Sequence, residues 1–258
     1  MNRYSVNLST VFTEVPFLER FRKAAEAGFS SVECQFPYAY TIEEIRKELD
    51  QNRLSMELLN LPPGNWEKGD RGLAADPNRI EEFKRSVTEG IRYANGLGVK
   101  KIHCMAGVVS ASSEKEKAAQ VYKKNLYYAG LGMGKAGISL LIEPINTNDM
   151  PGYFLNDIGQ AAEIIKVVNL QNVKLQFDFY HIERIHGNPL SFYQKYTDLT
   201  AHVQIADHPG RHEPGTGRMN YQDILRHLAA TNKSMIGLEY NPKFRSEDSF
   251  EWLKSWGH

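Results

Sequence analysis

The chain has 258 residues, of which 41% are hydrophobic and 24% are charged, as in an ordinary globular protein. This length suits one domain over residues 1–258. Lys and Arg together number 31, and so do Asp and Glu, so the net charge is zero and we predict no nucleic-acid partner. The N-terminal residues have no apolar core behind a basic start, and no apolar run approaches the roughly 20 residues that cross a bilayer. We therefore predict a cytoplasmic protein with no membrane partner.

The first half of the chain alternates short apolar runs with longer segments of helical periodicity. Phe17 and Phe21 lie on one face of the first predicted helix, Gly28 follows its end, and Thr41 is predicted to cap the second helix. The predicted strands of this half are Tyr4–Leu8, Ser31–Phe36, Leu54–Leu61 and Lys101–Ala106. The predicted helices are Glu14–Ala27, Thr41–Gln51, Glu81–Leu97 and Ser113–Lys135.

The second half continues the alternation with no linker. Its predicted strands are Ser139–Ile145, Val173–Phe179, Thr200–Ala206 and Met235–Tyr240. Its predicted helices are Asp157–Val168, Pro189–Tyr196, Tyr221–Thr231 and Ser246–Trp256. Eight strand–helix units predict an α/β fold, a single (β/α)8 TIM barrel with the active site at the C-terminal ends of the strands. The glycine pattern that opens a dinucleotide-binding fold is absent after the first strand, where the sequence reads NLSTVF.

Two polar loops follow predicted strands. Pro63–Arg79 is long for a strand-to-helix connection, which makes it a candidate lid. His208–Tyr221 follows the seventh strand, and its glycines allow the backbone to approach a ligand closely. Arg211 in this loop is a candidate for binding a carboxylate or phosphate of the substrate.

Polar residues lie at or near the ends of four successive strands, the fifth to the eighth: Glu143, Asp178, Gln204 and Glu239. If the larger apolar neighbours face the helices, strand alternation turns these four inward, where they converge. Three carboxylates so close together would repel one another and raise their pKa values unless a cation neutralised them. Four oxygen ligands without thiolate or imidazole suit a hard divalent ion, Mg2+ or Mn2+, better than zinc.

Two histidines are candidates for contact with the substrate. His181 comes three residues after Asp178, and His103 lies in the fourth predicted strand. Each is equally compatible with a core position whose ring nitrogens are satisfied by hydrogen bonds. His202 is predicted to point inward one layer deeper, and a core position is the preferred interpretation for it.

Several stretches carry a resemblance to a known family. The chain resembles the hydroxypyruvate isomerase family, within the xylose-isomerase-like barrels that also include ketose 3-epimerases, inosose dehydratases and type IV AP endonucleases. The resemblance runs essentially from end to end. The stretches that carry it are FTEVPFLERF, HCMAGVV, LLIEPIN, QFDFYH, AHVQIAD with RHEPGTG, and GLEYNP.

The resemblance implies roles for the four strand-end residues. Glu143 and Glu239 become the catalytic acid/base pair, and Glu143, Asp178, Gln204 and Glu239 become the ligands of the divalent metal. Gln204 stands where many epimerase relatives have a histidine, which agrees with the hydroxypyruvate isomerase branch. The many histidine ligands that the AP endonucleases need for several zinc ions are not visible in the sequence.

The activity that the resemblance implies is the interconversion of hydroxypyruvate and tartronate semialdehyde through an enediolate. An isomerase of four-carbon 2-oxo-tetronates with the same catalytic residues remains the main alternative. A ketose 3-epimerase and a non-catalytic or DNA-binding barrel are further alternatives. The predicted partner is a small keto-acid or sugar-acid, and the sequence leaves open whether the chain forms a homo-oligomer.

Overall fold

The computed structural model describes residues 3–109 and 114–256, and within them eight parallel strands close into a barrel. The strands are β1 Tyr4–Asn7, β2 Ser31–Cys34, β3 Ser55–Asn60, β4 Lys101–His103, β5 Ser139–Ile142, β6 Val173–Asp178, β7 Thr200–Ile205 and β8 Ile236–Leu238. Neighbours in sequence are neighbours in the barrel, and β1 closes it against β8 with Val6 opposite Leu238. The predicted (β/α)8 barrel is confirmed.

Helices connect the strands. They are α1 Phe17–Glu26, α2 Ile42–Asn52, α3 Ile80–Leu97, α4 Lys115–Lys135, α5 Ile158–Val168, α6 Phe179–His186, α7 Pro189–Tyr196, α8 Tyr221–Thr231 and α9 Trp252–Trp256. Short 3-10 helices occupy Trp66–Lys68, Thr197–Leu199 and Ser246–Phe250. Ser113, the predicted first residue of the fourth helix, lies outside the described residues. No helix in the described parts of the chain combines the length and apolar character needed to cross a bilayer.

The start of α2 follows the sequence prediction. Thr41 Oγ1 accepts a hydrogen bond from Glu44 N at 3.2 Å, and Glu44 Oε2 accepts one from Thr41 N at 2.8 Å. This reciprocal capping box pairs two backbone N–H groups that the first turn of a helix leaves free. The helix ends where Arg53 adopts a left-handed conformation, with φ of 54°.

Several boundaries differ from the sequence prediction, among them those at the fifth and sixth strands and at the last helix. The sixth strand ends at Asp178, and α6 begins at Phe179, where the sequence had predicted only strand and loop. Asp178 causes the change, because its Oδ1 accepts a hydrogen bond from Tyr180 N at 2.8 Å and caps the new helix. The fifth strand stops at Ile142, one residue before Glu143, and the last predicted helix divides into a 3-10 helix and α9.

Strand alternation separates an apolar layer from a polar barrel interior. Val203 and Ile205 of β7 are fully buried in the hydrophobic core, whereas Gln204 between them reaches across the barrel to Glu33. Gly237 leaves room for this polar layer, since a Cβ there would lie 2.5 Å from a Glu33 carboxylate oxygen. The interior of the barrel is therefore lined by polar side chains that lead towards its C-terminal end.

Candidate active site

A cavity of about 310 Å³ opens at the C-terminal end of the barrel. Five of the residues predicted from the sequence line it: His103, Glu143, His181, Arg211 and Glu239. They come from five regions of the chain, the ends of β4, β5 and β8 and the segments after β6 and β7. Its volume is at the small end of the range for ligand pockets, which suits a small metabolite.

Glu143 follows β5 directly, and Pro144 comes next, so the strand ends as its carboxylate enters the cavity. Gln176 Nε2 donates a hydrogen bond to Glu143 Oε2 at 3.0 Å, and His103 Nδ1 lies 3.6 Å from the same oxygen. Burial raises the pKa of Glu143 well above its usual range, and the nearby carboxylates of Glu239 and Asp178 raise it further. Glu143 is therefore a buried carboxyl group in an environment that favours a bound proton.

Glu239 is buried just as deeply but has more hydrogen-bond donors around it. Asn7 Nδ2 donates to Oε1 at 3.0 Å, Gln35 Nε2 donates to Oε1 at 2.7 Å, and Arg211 Nη2 donates to Oε2 at 3.1 Å. Burial raises the pKa of Glu239, and Arg211 and the hydrogen bond from Gln35 act against that rise. The two glutamates thus have different surroundings although they share one cavity.

Asp178 provides the third carboxylate of the cluster, and the geometry fits a cation. Potential ligand atoms of Glu143 and Asp178 lie within 4.8 Å of each other and of a ring nitrogen of His181. Among the described residues, Glu143 Oε1 and Asp178 Oδ2 have no hydrogen-bond partner although both atoms are buried. Buried carboxylate oxygens without a donor are costly, and a divalent cation would satisfy both.

His181 approaches this cluster with a defined tautomer. Asn146 Oδ1 accepts hydrogen bonds from Asp149 N and Arg184 Nε, which fixes the amide so that its Nδ2 donates to His181 Nδ1 at 2.7 Å. The proton of the neutral ring then lies on Nε2, which faces Asp178 Oδ2 at 3.7 Å. Burial, together with the charge of Arg211, lowers the pKa of His181 well below its usual range. His181 is therefore a neutral hydrogen-bond donor at the cavity.

Arg211 supplies a positive charge next to the carboxylates. Its Nη2 lies 3.6 Å from Asp178 Oδ2 in addition to its bond with Glu239, and its guanidinium is 5.2 Å from the centre of the Tyr180 ring. The loop that carries it is organised by Asp207, whose carboxylate accepts hydrogen bonds from the N–H groups of Gly215, Gly217 and Met219. A single aspartate thus fixes the loop.

Gln204 lies below the cavity in the barrel interior and is completely buried. Its Oε1 accepts a hydrogen bond from Gln176 Nε2 at 2.7 Å, and its Nε2 donates to Glu33 Oε2 at 2.9 Å. Gln176 also donates to Glu143, so the predicted ligand Gln204 is linked to the cluster through one neighbour. The roles of Gln204 and of the other site residues remain predictions.

Sequence reasoning did not select several residues of the site. Glu33 and Gln35 alternate along the second predicted strand, SVECQF, and the same inward-facing test that selected Glu239 would have found them. Trp66 and Arg71 line the cavity from the predicted lid loop, Pro63–Arg79. Nothing in their local pattern distinguishes them from the other polar or aromatic residues of that loop.

The sequence of residues 21–256 matches a family model described as xylose isomerase-like TIM barrel. The chain belongs to the xylose-isomerase-like TIM-barrel family. The match covers most of the barrel, including every residue of the carboxylate cluster. The predicted resemblance is thereby confirmed at the level of this family.

Two curated relatives of this chain are named as isomerases. The chain is 42% identical over 254 residues to a protein from Escherichia coli K12 named hydroxypyruvate isomerase, with 98% of each sequence covered. It is 40% identical to a protein from Cupriavidus necator named 2-oxo-tetronate isomerase, again with 98% of each covered. The predicted kinship with the hydroxypyruvate isomerase family is confirmed, and the chain is an enzyme of the isomerase class.

A solved structure from Brucella melitensis superposes closely on this barrel. It is 39% identical in sequence, covers 99% of each chain, and has a TM-score of 0.96. Its title describes it as an AP endonuclease of family 2.

Proposed function

We propose that the chain is a metal-assisted isomerase that interconverts hydroxypyruvate and tartronate semialdehyde (2-hydroxy-3-oxopropanoate). The observation that carries the proposal is a pair of glutamates in one small cavity. Glu143 follows β5, Glu239 follows β8, and both line the cavity. Two carboxyl groups on different strands can work on two adjacent carbons of one bound substrate. The isomerase names of relatives at 42% and 40% identity support this assignment.

The donor set supports a divalent cation, Mg2+ or Mn2+, as the cofactor. Glu143 and Asp178 have the buried oxygens without hydrogen-bond partners among the described residues, and Glu239 and Gln204 are the further predicted ligands. When bound, such a cation polarises the substrate carbonyl and makes the neighbouring carbon-bound proton more acidic. It also offsets the repulsion by Glu239 and Asp178 that adds to burial in raising the pKa of Glu143.

The residues of the chain supply the proton transfers. One glutamate removes a proton from the hydroxymethyl carbon of hydroxypyruvate, and the electron pair forms the carbon–carbon double bond of an enediolate. The other glutamate delivers a proton to the former carbonyl carbon, and the proton of the terminal hydroxyl passes to the former carbonyl oxygen as the terminal carbon becomes the aldehyde. His181 Nε2–H is placed to donate a hydrogen bond to a substrate oxygen during this exchange, and Arg211 holds the carboxylates of Glu239 and Asp178 in position.

A four-carbon 2-oxo-tetronate is the second candidate substrate. It is favoured by the relative from Cupriavidus necator, which is 40% identical over 98% of the chain. The same two glutamates would carry out the same proton transfers, because the extra carbon lies away from the reacting pair. Substrate length would then depend on the walls of the cavity and on the Pro63–Arg79 loop.

The test is a panel of α-hydroxy keto-acids and ketoses assayed with Mg2+ or Mn2+. We expect turnover of hydroxypyruvate, and a loss of about 100- to 10,000-fold in Glu143→Gln and in Glu239→Gln with the fold retained by circular dichroism. Near-wild-type activity in both variants would contradict the proposal. Activity confined to four-carbon acids would favour the second candidate, and cleavage of abasic DNA without any isomerase activity would favour the AP endonuclease activity for which the Brucella protein is named.

A further inference from the structure

Arg71 is a second arginine that lines the cavity, and the proposed proton transfers do not use it. It belongs to the segment between β3 and α3 and lines the cavity together with Trp66, Phe36 and Met105. Its guanidinium is 3.9 Å from the centre of the Trp66 ring, and the Trp66 ring is 5.2 Å from that of Phe36. An arginine stacked on an aromatic ring keeps its in-plane N–H groups available to a ligand.

The position of Arg71 is fixed by its own segment. Arg71 Nη1 donates hydrogen bonds to the carbonyl oxygens of Trp66 at 3.0 Å and Asp70 at 2.7 Å. Asp70 Oδ2 in turn accepts hydrogen bonds from Asn65 N at 2.6 Å and from Arg79 Nη1 at 2.7 Å. The charge of Asp70 is therefore engaged by Arg79, and the guanidinium of Arg71 is held in place by backbone oxygens.

Among the described residues, the charge of Arg71 has no carboxylate partner. Within residues 3–109 and 114–256, no Asp or Glu oxygen lies within 4.0 Å of its guanidinium, and its Nε and Nη2 make no hydrogen bond. Arg211 differs, because it is paired with Glu239 at 3.1 Å and with Asp178 at 3.6 Å. Of the two arginines that line the cavity, Arg71 is therefore the one whose charge has no carboxylate partner among the described residues.

The arrangement of charges gives an anionic substrate one favourable orientation. Glu143 and Glu239 repel a carboxylate, so a keto-acid avoids presenting its carboxylate to them. Arg71 offers two N–H donors in the planar geometry that matches a carboxylate. A carboxylate held there leaves the hydroxy-carbonyl end of the substrate free to reach the two glutamates.

We propose that Arg71 binds the substrate carboxylate and thereby selects α-hydroxy keto-acids over neutral ketoses of the same length. This inference rests on the proposed function, since it assumes that the cavity is the substrate site. Trp66 acts as a positioning residue, because it fixes the plane of the guanidinium. Arg211 remains committed to the carboxylates of the protein.

The test compares two unreactive ligands with the same carbon skeleton, glycerate and glycerol, by titration calorimetry in the presence of Mg2+. The wild-type protein should prefer glycerate, and Arg71→Met should weaken glycerate binding by about 10- to 100-fold while leaving glycerol binding unchanged. Arg71→Lys should retain part of the preference. Lys68→Met is the matched control, because it removes one positive charge from the same segment without altering a residue that lines the cavity.

Kinetics separate this inference from the proposed function. In Arg71→Met, the KM for hydroxypyruvate should rise by a similar factor while kcat stays near the wild-type value, because the reacting groups are intact. An unchanged preference in Arg71→Met, an equal loss in Lys68→Met, or no measurable glycerate binding by the wild type would overturn the inference. An Arg71-dependent preference in a protein that turns over no keto-acid would support it and contradict the proposed function.

Discussion

Glu33 is completely buried in the barrel interior and connects the cavity to the polar residues beneath it. Its carboxylate accepts hydrogen bonds from Ser5 Oγ at 2.5 Å and Gln204 Nε2 at 2.9 Å, and it lies 2.8 Å from His202 Nε2. Burial alone would raise the pKa of Glu33, but the nearby His202 and the two hydrogen bonds outweigh it, so the pKa is lowered. The ionised form of Glu33 is therefore the one that stabilises the barrel.

Glu33→Gln should destabilise the protein by about 3 kcal/mol or more, measured by urea unfolding at pH 7. The new amide would direct its N–H2 group at Ser5 or Gln204, which are both donors, and it would leave His202 without its charged neighbour. Because the pKa of Glu33 is lowered in the folded state, its contribution is complete above its ordinary pKa of about 4.3 and is lost as pH falls through the folded value. The difference between wild type and variant should therefore shrink in acid.

A surface glutamate provides the control for this prediction. Glu26 is 51% exposed and pairs with Arg22 at 2.6 Å, so Glu26→Gln should change the free energy of unfolding by less than about 1 kcal/mol. Equal stability of Glu33→Gln and Glu26→Gln would contradict the role given to the buried carboxylate.

At the residue level, the sequence predicted the carboxylates of the site and missed their amide partners. Glu143 and Glu239 were recognisable because a charge at the end of a buried apolar strand is unfavourable unless a hydrogen-bond partner or a cation stabilises it. The direction in which the Gln204 amide points could not be predicted, because it depends on Gln176 and Glu33 across the barrel. Such contacts exist only after the strands have closed.

At the level of elements, the segment between β3 and α3 illustrates how backbone geometry positions the cavity rim. Gly72 has a φ of 111°, and a Cβ there would overlap the carbonyl of Met105. The N–H of Gly72 donates to the carbonyl of Pro63 at 3.0 Å, and Ala75 N donates to Ala106 O at 2.8 Å. Only glycine allows this approach, which carries Arg71 to the cavity.

Gly72→Ala should destabilise the protein by about 2 kcal/mol or more, because it combines an unfavourable φ with the overlap at Met105. Gly69→Ala is a matched control, since Gly69 has a φ of 96° but no atom within 4 Å of the added Cβ. We expect urea unfolding to give a smaller loss for Gly69→Ala, about 1 kcal/mol. Indistinguishable losses in the two variants would show that the close approach to Met105 does not matter.

The elements themselves were largely predictable. Short apolar runs between segments of helical periodicity located the eight strands, and the sequence predicted the capping of α2 by Thr41. Helix α6 was missed because Phe177, Phe179 and Tyr180 continue an apolar run that is typical of a strand. The side chain of Asp178 caps that helix and also belongs to the carboxylate cluster. Its orientation therefore depends on tertiary contacts, which the local sequence does not predict.

At the scale of the whole molecule, barrel closure creates the site. Asn7 and Glu239 are 232 positions apart in the chain, yet their side chains are joined by a hydrogen bond of 3.0 Å. The first strand thus supports Glu239, the second glutamate of the proposed catalytic pair, although the three carboxylates of the cluster themselves lie at the ends of strands in the second half of the barrel. The order of the strands was predictable from the alternation of elements, but the rim residues Trp66 and Arg71 depend on how one long loop folds.

The most direct test of the central claim is deuterium incorporation into the product, followed by NMR in deuterated water with hydroxypyruvate and Mg2+ or Mn2+. Because one carboxyl group removes a proton and another delivers one, the product carbon should carry solvent deuterium in the wild-type reaction. Incorporation should disappear in Glu143→Gln, in Glu239→Gln, and after removal of the metal by a chelator. Metal-dependent incorporation that persists in the variant lacking both glutamates, or its absence from the wild type on every keto-acid tested, would contradict the account.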